Sequence, residues 1–339
     1  MYHSRYKGTH YKMGFRWGIR LLECGNYLLQ NVPFPITEER IRFAAKCRPY
    51  YQQYFPEILE EIRGICEGQR IDTLQLEAIL FSMYNIMPEN KCSCFAFREG
   101  EHIILARNSD FLTLTEKLNM NCIYQFQDGF YSFLGNTTAF VEMEDGVNQH
   151  GLAIGLTSVY PKKIGFGLNA GMLLRYGLER CCTVAEFIQA LKALPIASSQ
   201  TFTVVDSQKM AAVIECNTDR VEVCYLDKAH PYLLAVNGFY LKGMKAYQVE
   251  GIDNWQAEER YQTIHTAFLQ RREASAISFA MATLGGAYGF LCQYDRKTGK
   301  DTVWSTIYDV GKGSIYRCEG NPSRKAFKED RRFAIHTII

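Results

Sequence analysis

The sequence of 339 residues predicts an α+β fold whose sheets are largely antiparallel. Residues 1–91 have mainly helical periodicity, whereas from residue 92 onward short strand-like runs follow one another with hairpin-length links. Helical stretches interrupt those runs at 168–192 and 256–286. Strands in runs and helices in runs are typical of α+β layers rather than of a doubly wound parallel sheet.

Three helices are predicted in the N-terminal quarter. Thr37 is a candidate N-cap before the acidic residues Glu38 and Glu39, which places a helix start there. A second amphipathic segment follows Pro56, and a third runs from about Leu74 onward.

The strand-like runs are rich in apolar and aromatic residues and are bounded by turn residues. They cover residues 93–98, 102–107, 122–127, 130–134, 138–144, 152–159, 201–206, 211–216, 220–226 and 232–237. The chain has no internal repeat and no segment with the composition of a linker, so we expect one integrated domain.

Composition excludes several classes of function. With 47% hydrophobic and 22% charged residues and a net charge of +2, the chain lacks the basic surface that nucleic-acid binding requires. The N-terminus has no apolar signal core and no run of apolar residues is long enough to span a membrane, so a soluble, cytoplasmic protein is expected. The scattered cysteines, 12 in number, favour free thiols over a disulfide framework, and no metal or other cofactor is expected.

The most informative segment is a hairpin that begins with Cys92. A turn at 99–101 that contains Gly predicts two paired strands, with Cys92 opposite Asn108. Residues opposed or diagonal across two strands lie within about 8 Å, so Arg107 and Asp110 approach the thiol. A one-residue shift in register would change the face on which Arg107 lies, and the sequence leaves that open.

This hairpin resembles a known family. A cysteine followed by Ser93, and one hairpin later the segment Arg107-Asn108-Ser109-Asp110-Phe111, is similar to the N-terminal-nucleophile amide hydrolases. The closest similarity is to their penicillin acyltransferase-like branch, whose relatives include choloylglycine hydrolases and acid ceramidase. Other segments resemble family motifs in the same order, namely 145–157, 234–238, 259–261, 302–308 and 320–322. The similarity runs from about residue 1 to about residue 322, with one departure, Glu259 in place of the family's Ser.

The resemblance implies a four-layer αββα sandwich and a set of site residues. Cys92 would be the nucleophile, and Asn237 would donate to the oxyanion. Arg107 would favour the thiolate and Asp110 would orient an amine, although the two could instead form a structural ion pair. Residues that would line the site are Thr157, Ser158 and Arg260. The role of Arg260 is in doubt because the residue before it is Glu259 instead of the family's Ser.

A cysteine within the chain lacks a partner base, whereas an N-terminal cysteine carries its own α-amine, with a pKa of about 8. Cleavage between Lys91 and Cys92 would expose that amine and leave a helical chain 1–91 packed against a catalytic chain 92–339. The predicted function is a self-processing cysteine amidohydrolase or acyltransferase that acts on linear N-acyl amides with an apolar acyl part.

Two alternatives remain from the sequence. One is an unprocessed thiol hydrolase that uses Cys92 or Cys94 with a distant histidine, for which His102 is the first choice. The other is a catalytically inactive scaffold, which the Glu259 departure makes conceivable. The expected partner is a small acyl amide, and the sequence leaves a homo-oligomer open.

Overall fold

The computed structural model describes residues 1–86 and 91–336, which form an α+β fold built on two sheets. The strands are β1 Tyr2–Gly8, β2 Lys91–Glu99, β3 His102–Leu112, β4 Met120–Phe126, β5 Phe133–Thr137, β6 Asp145–Asn148, β7 Ala153–Ser158, β8 Gln200–Val205, β9 Ala211–Cys216, β10 Val221–Tyr225, β11 Tyr232–Ala235, β12 Lys300–Asp309, β13 Ser314–Glu319 and β14 Lys328–Glu329. The α-helices are α1 His10–Glu23, α2 Glu38–Tyr54, α3 Pro56–Gln69, α4 Thr73–Ser82, α5 Ala170–Arg180, α6 Val184–Ala193, α7 Ala257–Leu269 and α8 Ala276–Leu284.

The two sheets are largely antiparallel, as the sequence predicts. The 8-stranded sheet has the order β1-β4-β5-β6-β7-β8-β9-β10, and its one parallel pairing joins β1 to β4. The 6-stranded sheet has the order β11-β2-β3-β12-β13-β14. The strand that begins at Lys91 therefore lies inside its sheet, between β11 and β3.

Three apolar cores define the layers. Helices α1 to α6 pack on the outer face of the 8-stranded sheet, where Ile62, Leu173 and Phe202 belong to one apolar core. The facing surfaces of the two sheets share a second core, and α7 and α8 cover the other face of the 6-stranded sheet. The α+β class with two largely antiparallel sheets is confirmed, and the distribution of these cores agrees with the αββα order that the family resemblance implies.

The predicted N-terminal helices are confirmed, and their ends follow local signals. The Thr37 hydroxyl accepts a hydrogen bond from the Arg40 N–H at 3.3 Å and so caps α2, while Pro56 occupies the first turn of α3. Strand β1 and helix α1 were not predicted from the sequence. Most side chains of β1 are exposed and its partner β4 lies far along the chain, so no local pattern marked it.

One predicted strand is wrong. Residues 138–144 form bends and turns rather than a strand, and β6 begins only at Asp145. Phe140 has φ of +58°, a left-handed conformation that turns the chain out of an extended path. The segment thereby brings Glu144 inward as a buried side chain.

The register of the β2–β3 hairpin also differs from the prediction. Glu99 pairs with His102 across a two-residue turn in which Gly100 has φ of +58°, so Cys92 lies opposite Ser109 rather than Asn108. Arg107 consequently lies opposite Cys94. Because directly opposed residues share a face and side chains alternate along a strand, the observed register puts Arg107 on the face of Cys92.

Buried charges join residues 1–86 to the remainder of the fold. Arg175 on α5 donates to Glu61 on α3 at 2.8 Å and also pairs with Glu179. Glu179 in turn hydrogen-bonds His10 on α1 at 3.0 Å. Helices α1 and α3 cross closely, since a Cβ on Gly14 would lie 2.2 Å from the Glu61 carbonyl oxygen.

Across residues 1–86 and 91–336, no helix combines the length and the apolar character that crossing a membrane requires. The 12 cysteines are free thiols, most of them buried.

Candidate active site

Cys92 lies fully buried on β2, and three of its atoms are held by polar side chains. Its Sγ accepts a hydrogen bond from Arg107 Nη2 at 2.7 Å. Its backbone N–H donates to Asn237 Oδ1 at 2.9 Å, and its carbonyl oxygen accepts from Arg260 Nη1 at 2.7 Å. The fold thus gathers three of the residues singled out from the sequence, Arg107, Asn237 and Arg260, around Cys92.

Arg107 is fully buried and contacts two carboxylates besides the thiol. Its Nη1 donates to Asp145 Oδ2 at 2.8 Å, its Nη2 lies 3.3 Å from Glu144 Oε2, and its Nε donates to the Leu156 carbonyl at 2.9 Å. These contacts leave the guanidinium little freedom to move. Neither carboxylate was predicted as a site residue. The adjacent acidic pair before Gly146 was a usable signal, because a buried arginine needs counter-charges.

Burial has the largest effect on the pKa of the Cys92 thiol. It raises the pKa of the Cys92 thiol to about 12, while Arg107 lowers that pKa and Glu144 and Asp110 raise it. The effect of Arg107 has the direction expected from the sequence, and it is smaller than the effect of burial. In the uncleaved chain, Cys92 is therefore a neutral thiol at neutral pH.

Asp110 lies on the opposite face of β3 from Arg107, directly across from Lys91. Its carboxylate accepts hydrogen bonds from Tyr294 Oη at 3.0 Å and from Thr302 Oγ1 at 2.5 Å, and it lies 3.6 Å from Arg260 Nη1. Burial raises the pKa of Asp110 to about 6, and Arg260 provides the largest opposing effect. A carboxyl group that titrates near neutral pH thus lies beside the position that precedes Cys92.

Asn237 and Arg260 hold each other as well as Cys92. Asn237 Oδ1 accepts from Arg260 Nη2 at 2.9 Å, and Asn237 Nδ2 donates to the Ser158 carbonyl at 2.8 Å. Arg260 is fully buried on α7, whereas Glu259 is exposed. The departure from the family pattern at Glu259 therefore faces solvent and leaves the position of Arg260 intact.

The two site-lining candidates on β7 differ in their contacts. Ser158 reaches the site through its carbonyl oxygen, which holds the Asn237 amide. Thr157 donates its hydroxyl to the Thr201 carbonyl at 3.4 Å, and no hydrogen bond among the residues that the structure describes links it to Cys92.

Cys94, the alternative nucleophile, and His102, the alternative base, both lie outside the group of side chains around Cys92. Cys94 belongs to the apolar core between the sheets, where burial raises its thiol pKa to about 12. His102 pairs with Asp309 at 2.6 Å at the far end of the hairpin. Ser109, the partner of Cys92, is seven residues along β3 from His102, a separation of about 23 Å at ~3.3 Å per residue. Direct proton transfer between His102 and Cys92 is excluded by that distance.

A cavity of about 830 Å³ lies beside this cluster, between the N-terminal helices and the 8-stranded sheet. It is lined by Met83, Tyr84 and Ile86, which precede the Cys92 strand, and by Thr138. The Thr138 hydroxyl donates to Glu144 Oε1 at 2.5 Å, so one carboxylate connects the cavity wall to Arg107.

Within the described part of the chain, no three histidine, cysteine, aspartate or glutamate side chains are grouped as metal ligands.

Comparison with solved structures returned matches of low sequence identity. Penicillin V acylase from Agrobacterium tumefaciens is 15% identical, with 67% of this chain and 82% of that chain covered and a TM-score of 0.46. A Caenorhabditis elegans ortholog of N-acylethanolamine-hydrolyzing acid amidase is 19% identical, with coverages of 65% and 93% and a TM-score of 0.47. A mutant of conjugated bile acid hydrolase from Clostridium perfringens is 14% identical, with coverages of 73% and 99% and a TM-score of 0.44.

A comparison with curated proteins returned no match. The sequence model of the family described as acyl-coenzyme A:6-aminopenicillanic acid acyl-transferase matches residues 97–324, which is most of the chain and begins just after Cys92. The chain therefore belongs to this penicillin acyltransferase-like family of N-terminal-nucleophile hydrolases.

Proposed function

We propose that the protein is a self-processing cysteine amidohydrolase or acyltransferase that acts on linear N-acyl amides through an acyl-thioester on Cys92. The observation that carries the proposal is the 2.7 Å contact between Arg107 Nη2 and Cys92 Sγ, in a site where Asn237 and Arg260 hold the same residue through its backbone. No other cysteine thiol among the described residues accepts a hydrogen bond from an arginine.

Self-cleavage would proceed at the bond between Lys91 and Cys92. The thiol adds to the Lys91 carbonyl carbon, the C–N bond breaks, and the Cys92 nitrogen takes up the proton that the thiol loses. Water then hydrolyses the thioester, which regenerates the thiol and leaves a carboxylate on Lys91. The new α-amine of Cys92 supplies the general base that a cysteine within the chain lacks.

Asp110 is the residue best placed to assist this step. It lies across the strand pair from Lys91, and its pKa of about 6 allows it to exchange a proton near neutral pH. After cleavage, its carboxylate would orient the ammonium form of the Cys92 amine. Asn237 already accepts a hydrogen bond from the same nitrogen, at 2.9 Å.

In turnover, Cys92 would attack the carbonyl carbon of a bound N-acyl amide and expel the amine. The Asn237 side-chain amide would donate to the oxyanion that develops on the carbonyl oxygen. Water or a second amine would then release the acyl group from the thioester. The apolar part of the substrate would occupy the neighbouring cavity, whose size falls within the usual range of ligand sites.

The segment before Cys92 would have to move before a substrate could reach the thiol, because Cys92 has no exposed surface in the uncleaved chain. Tyr84 is buried with φ of +62°, a conformation that costs a bulky residue about 1–3 kcal/mol. Its hydroxyl has no hydrogen-bond partner among the residues described. Cleavage frees the end of this segment, so the strain at Tyr84 favours its withdrawal.

Residues 1–91 would remain attached after cleavage. Strand β1 pairs with β4 along its whole length, and the buried ion pair between Glu61 and Arg175 crosses from one chain to the other. Most of the apolar core on the outer face of the 8-stranded sheet is likewise shared by both chains.

Intact-mass measurement under denaturing conditions tests the proposal. Wild type should give two chains that together weigh one water more than the precursor, and incubation with an N-acyl amide should add one acyl group to the chain that begins with Cys92. Cys92→Ala should stay whole and take up no acyl group.

Cys94→Ala is the matched control, since the two cysteines share a strand and a face. It should cleave and acylate like wild type. A full-length wild-type protein that turns over the amide, or a Cys94→Ala variant that alone loses activity, would refute the assignment of Cys92.

A further inference from the structure

The loop that follows Asn237 is held by a buried carboxylate that no step of the proposed reaction uses. Glu215 lies on β9, and its two carboxylate oxygens accept hydrogen bonds from successive backbone N–H groups, that of Tyr240 at 2.7 Å and that of Leu241 at 3.0 Å. Asn237 is three residues before Tyr240 in the chain. One side chain thus holds the loop that carries the proposed oxyanion donor.

The same loop has two further contacts that fix its path. The N–H of Phe239 donates to Gln248 Oε1 at 2.8 Å, which closes the loop on itself. Gly243 lies against Glu222 and Arg220, which pair with each other at 2.6 Å, and a side chain at this glycine would collide with both. The loop therefore packs beside the turn between β9 and β10, at the edge of the 8-stranded sheet.

Glu215 lies on the face of this sheet that is turned toward the other sheet, since Val213, two residues before it, belongs to the core between the sheets. Its side chain is only 2% exposed, and directly opposite it lie Thr201 on β8 and Glu222 on β10. Neither of these neighbours carries a positive charge. Among the described residues, only the two loop N–H groups donate hydrogen bonds to the Glu215 carboxylate.

Glu215 is the group of this cluster that changes charge near neutral pH. Burial raises the pKa of its carboxyl to about 7, against the lowering effect of the two loop N–H groups. Glu222 adds to the increase in that pKa, and Lys245 opposes it. The other titratable groups on which the charge of Glu215 acts have pKa values raised by burial and are neutral at pH 7, namely Tyr261, Cys216 and Cys224.

The hold on the loop depends on the charge of Glu215. A charged carboxylate accepts hydrogen bonds through both oxygens, whereas a protonated one directs an O–H group at one of the two N–H donors. That N–H then lacks an acceptor in a buried place, which weakens the attachment of the loop. The loop is therefore fully held above about pH 7 and is loosened as the pH falls through that value.

We propose that Glu215 is a positioning residue for Asn237, whose charged carboxylate fixes the following loop and so keeps the Asn237 side-chain amide aimed at the oxyanion. The inference rests on the proposed function for the role of Asn237 in turnover. The attachment of the loop to Glu215 is independent of cleavage and is present in the uncleaved chain. Amide turnover is thereby regulated by the charge of a group outside the side chains around Cys92.

Nuclear magnetic resonance of the full-length Cys92→Ala protein tests this positioning without catalysis. The backbone N–H signals of Tyr240 and Leu241 and the side-chain NH2 signals of Asn237 should shift together with pH, with a common midpoint near about 7. Loop signals that stay constant between about pH 5 and about pH 9 would show that Glu215 keeps one charge state. Loop signals that shift while those of Asn237 stay constant would show that the loop does not position Asn237. Either result overturns the proposal.

Two substitutions assign the midpoint to Glu215. Glu215→Gln offers one acceptor oxygen and one NH2 group, as the protonated carboxyl offers one acceptor oxygen and one O–H group, and it should abolish the titration. Glu222→Gln removes the like charge directly opposite Glu215 and should move the midpoint to lower pH. A titration that persists in Glu215→Gln would assign the change to another group, such as Asp110, and would contradict the proposal. If that variant does not fold, an unmoved midpoint in Glu222→Gln has the same meaning.

Cleaved protein tests the consequence for turnover. With decanoic acid 4-nitroanilide as the substrate, kcat of Glu215→Gln should be about tenfold below that of wild type at about pH 8.5 and equal to it at about pH 5.5, with similar KM values. A loss of the same size at both pH values is what a merely structural role predicts, and it would refute the positioning role. Glu250→Gln, which changes an exposed carboxylate, is the control and should match wild type at both pH values.

The outcomes separate this inference from the proposed function. If wild type turns over the amide but the ratio of its kcat to that of Glu215→Gln is the same at both pH values, the proposed function stands and the inference fails. If wild type neither cleaves itself nor takes up an acyl group, the proposed function fails, and the role of Glu215 in turnover fails with it. The resonance titration would in that case still establish that Glu215 positions Asn237.

Discussion

The substitution Asp110→Asn is expected to change the stability of the uncleaved protein in a pH-dependent way. Burial raises the pKa of Asp110 from 3.8 to about 6 in the folded chain. The folded state therefore binds the Asp110 proton more tightly than the unfolded state does. The stabilisation is fully present below about pH 3.8, and it is lost as the pH rises through about 6.

The size of the effect follows from the two pKa values. The difference between 3.8 and about 6 corresponds to about 3 kcal/mol, at ~1.36 kcal/mol for each pH unit. About 2.5 kcal/mol of that loss falls between about pH 4 and about pH 7.5. Asparagine carries no ionisable proton, so this part of the pH dependence should vanish in the variant.

Urea unfolding of Cys92→Ala, with and without Asp110→Asn, measures the difference. Asparagine keeps one acceptor oxygen and replaces the other with an NH2 group, so the variant loses one of the hydrogen bonds from Thr302 and Tyr294 at every pH. The change in the free energy of unfolding between the two pH values is therefore the informative quantity. The exposed carboxylate variant Glu250→Gln serves as a control and should show no such change. A pH profile that is the same with aspartate and asparagine at position 110 would refute the argument that burial sets the acidity of Asp110.

Three further outcomes are expected. Arg107→Gln in the Cys92→Ala background leaves Asp145 and Glu144 buried without their cation and should lower the free energy of unfolding by about 3–5 kcal/mol, whereas a loss below about 1 kcal/mol would contradict the buried network. Asn237→Ala removes the proposed oxyanion donor and should lower kcat for amide turnover by about 10²–10³ with little change in KM, and an unchanged kcat would return Asn237 to a structural role. Arg175→Met removes the cation that Glu61 and Glu179 share between the two chains, so the cleaved protein should release chain 1–91 at lower urea concentration in size-exclusion chromatography, and co-elution identical to wild type would count against it.

Several features could be predicted from the sequence because their causes are local. The helix start at Thr37 depends on a hydroxyl and an N–H three residues away, and the strand periodicity after Cys92 depends on adjacent residues. The α+β class follows from the order of such local elements. Cys92, Arg107 and Asp110 lie on one hairpin, and the resemblance to a family added Asn237 and Arg260 from distant segments.

Only the tertiary structure decided how these residues meet. Strands β11 and β12 flank the hairpin, and the two-residue turn at Gly100 places Arg107 on the face of Cys92. The counter-charges of Arg107 come from the segment around Glu144, where the strand predicted from the sequence proved wrong.

The acidity of the site likewise depends on the assembled fold. The Cys92 thiol and the Asp110 carboxyl have raised pKa values mainly because burial in the folded chain excludes water from them. Desolvation and long-range charge depend on every segment packed around a group, whereas the sequence records only its neighbours along the chain. The sequence therefore determined which chemical groups this protein carries, and the packing of distant segments decided their protonation states and their distances from one another.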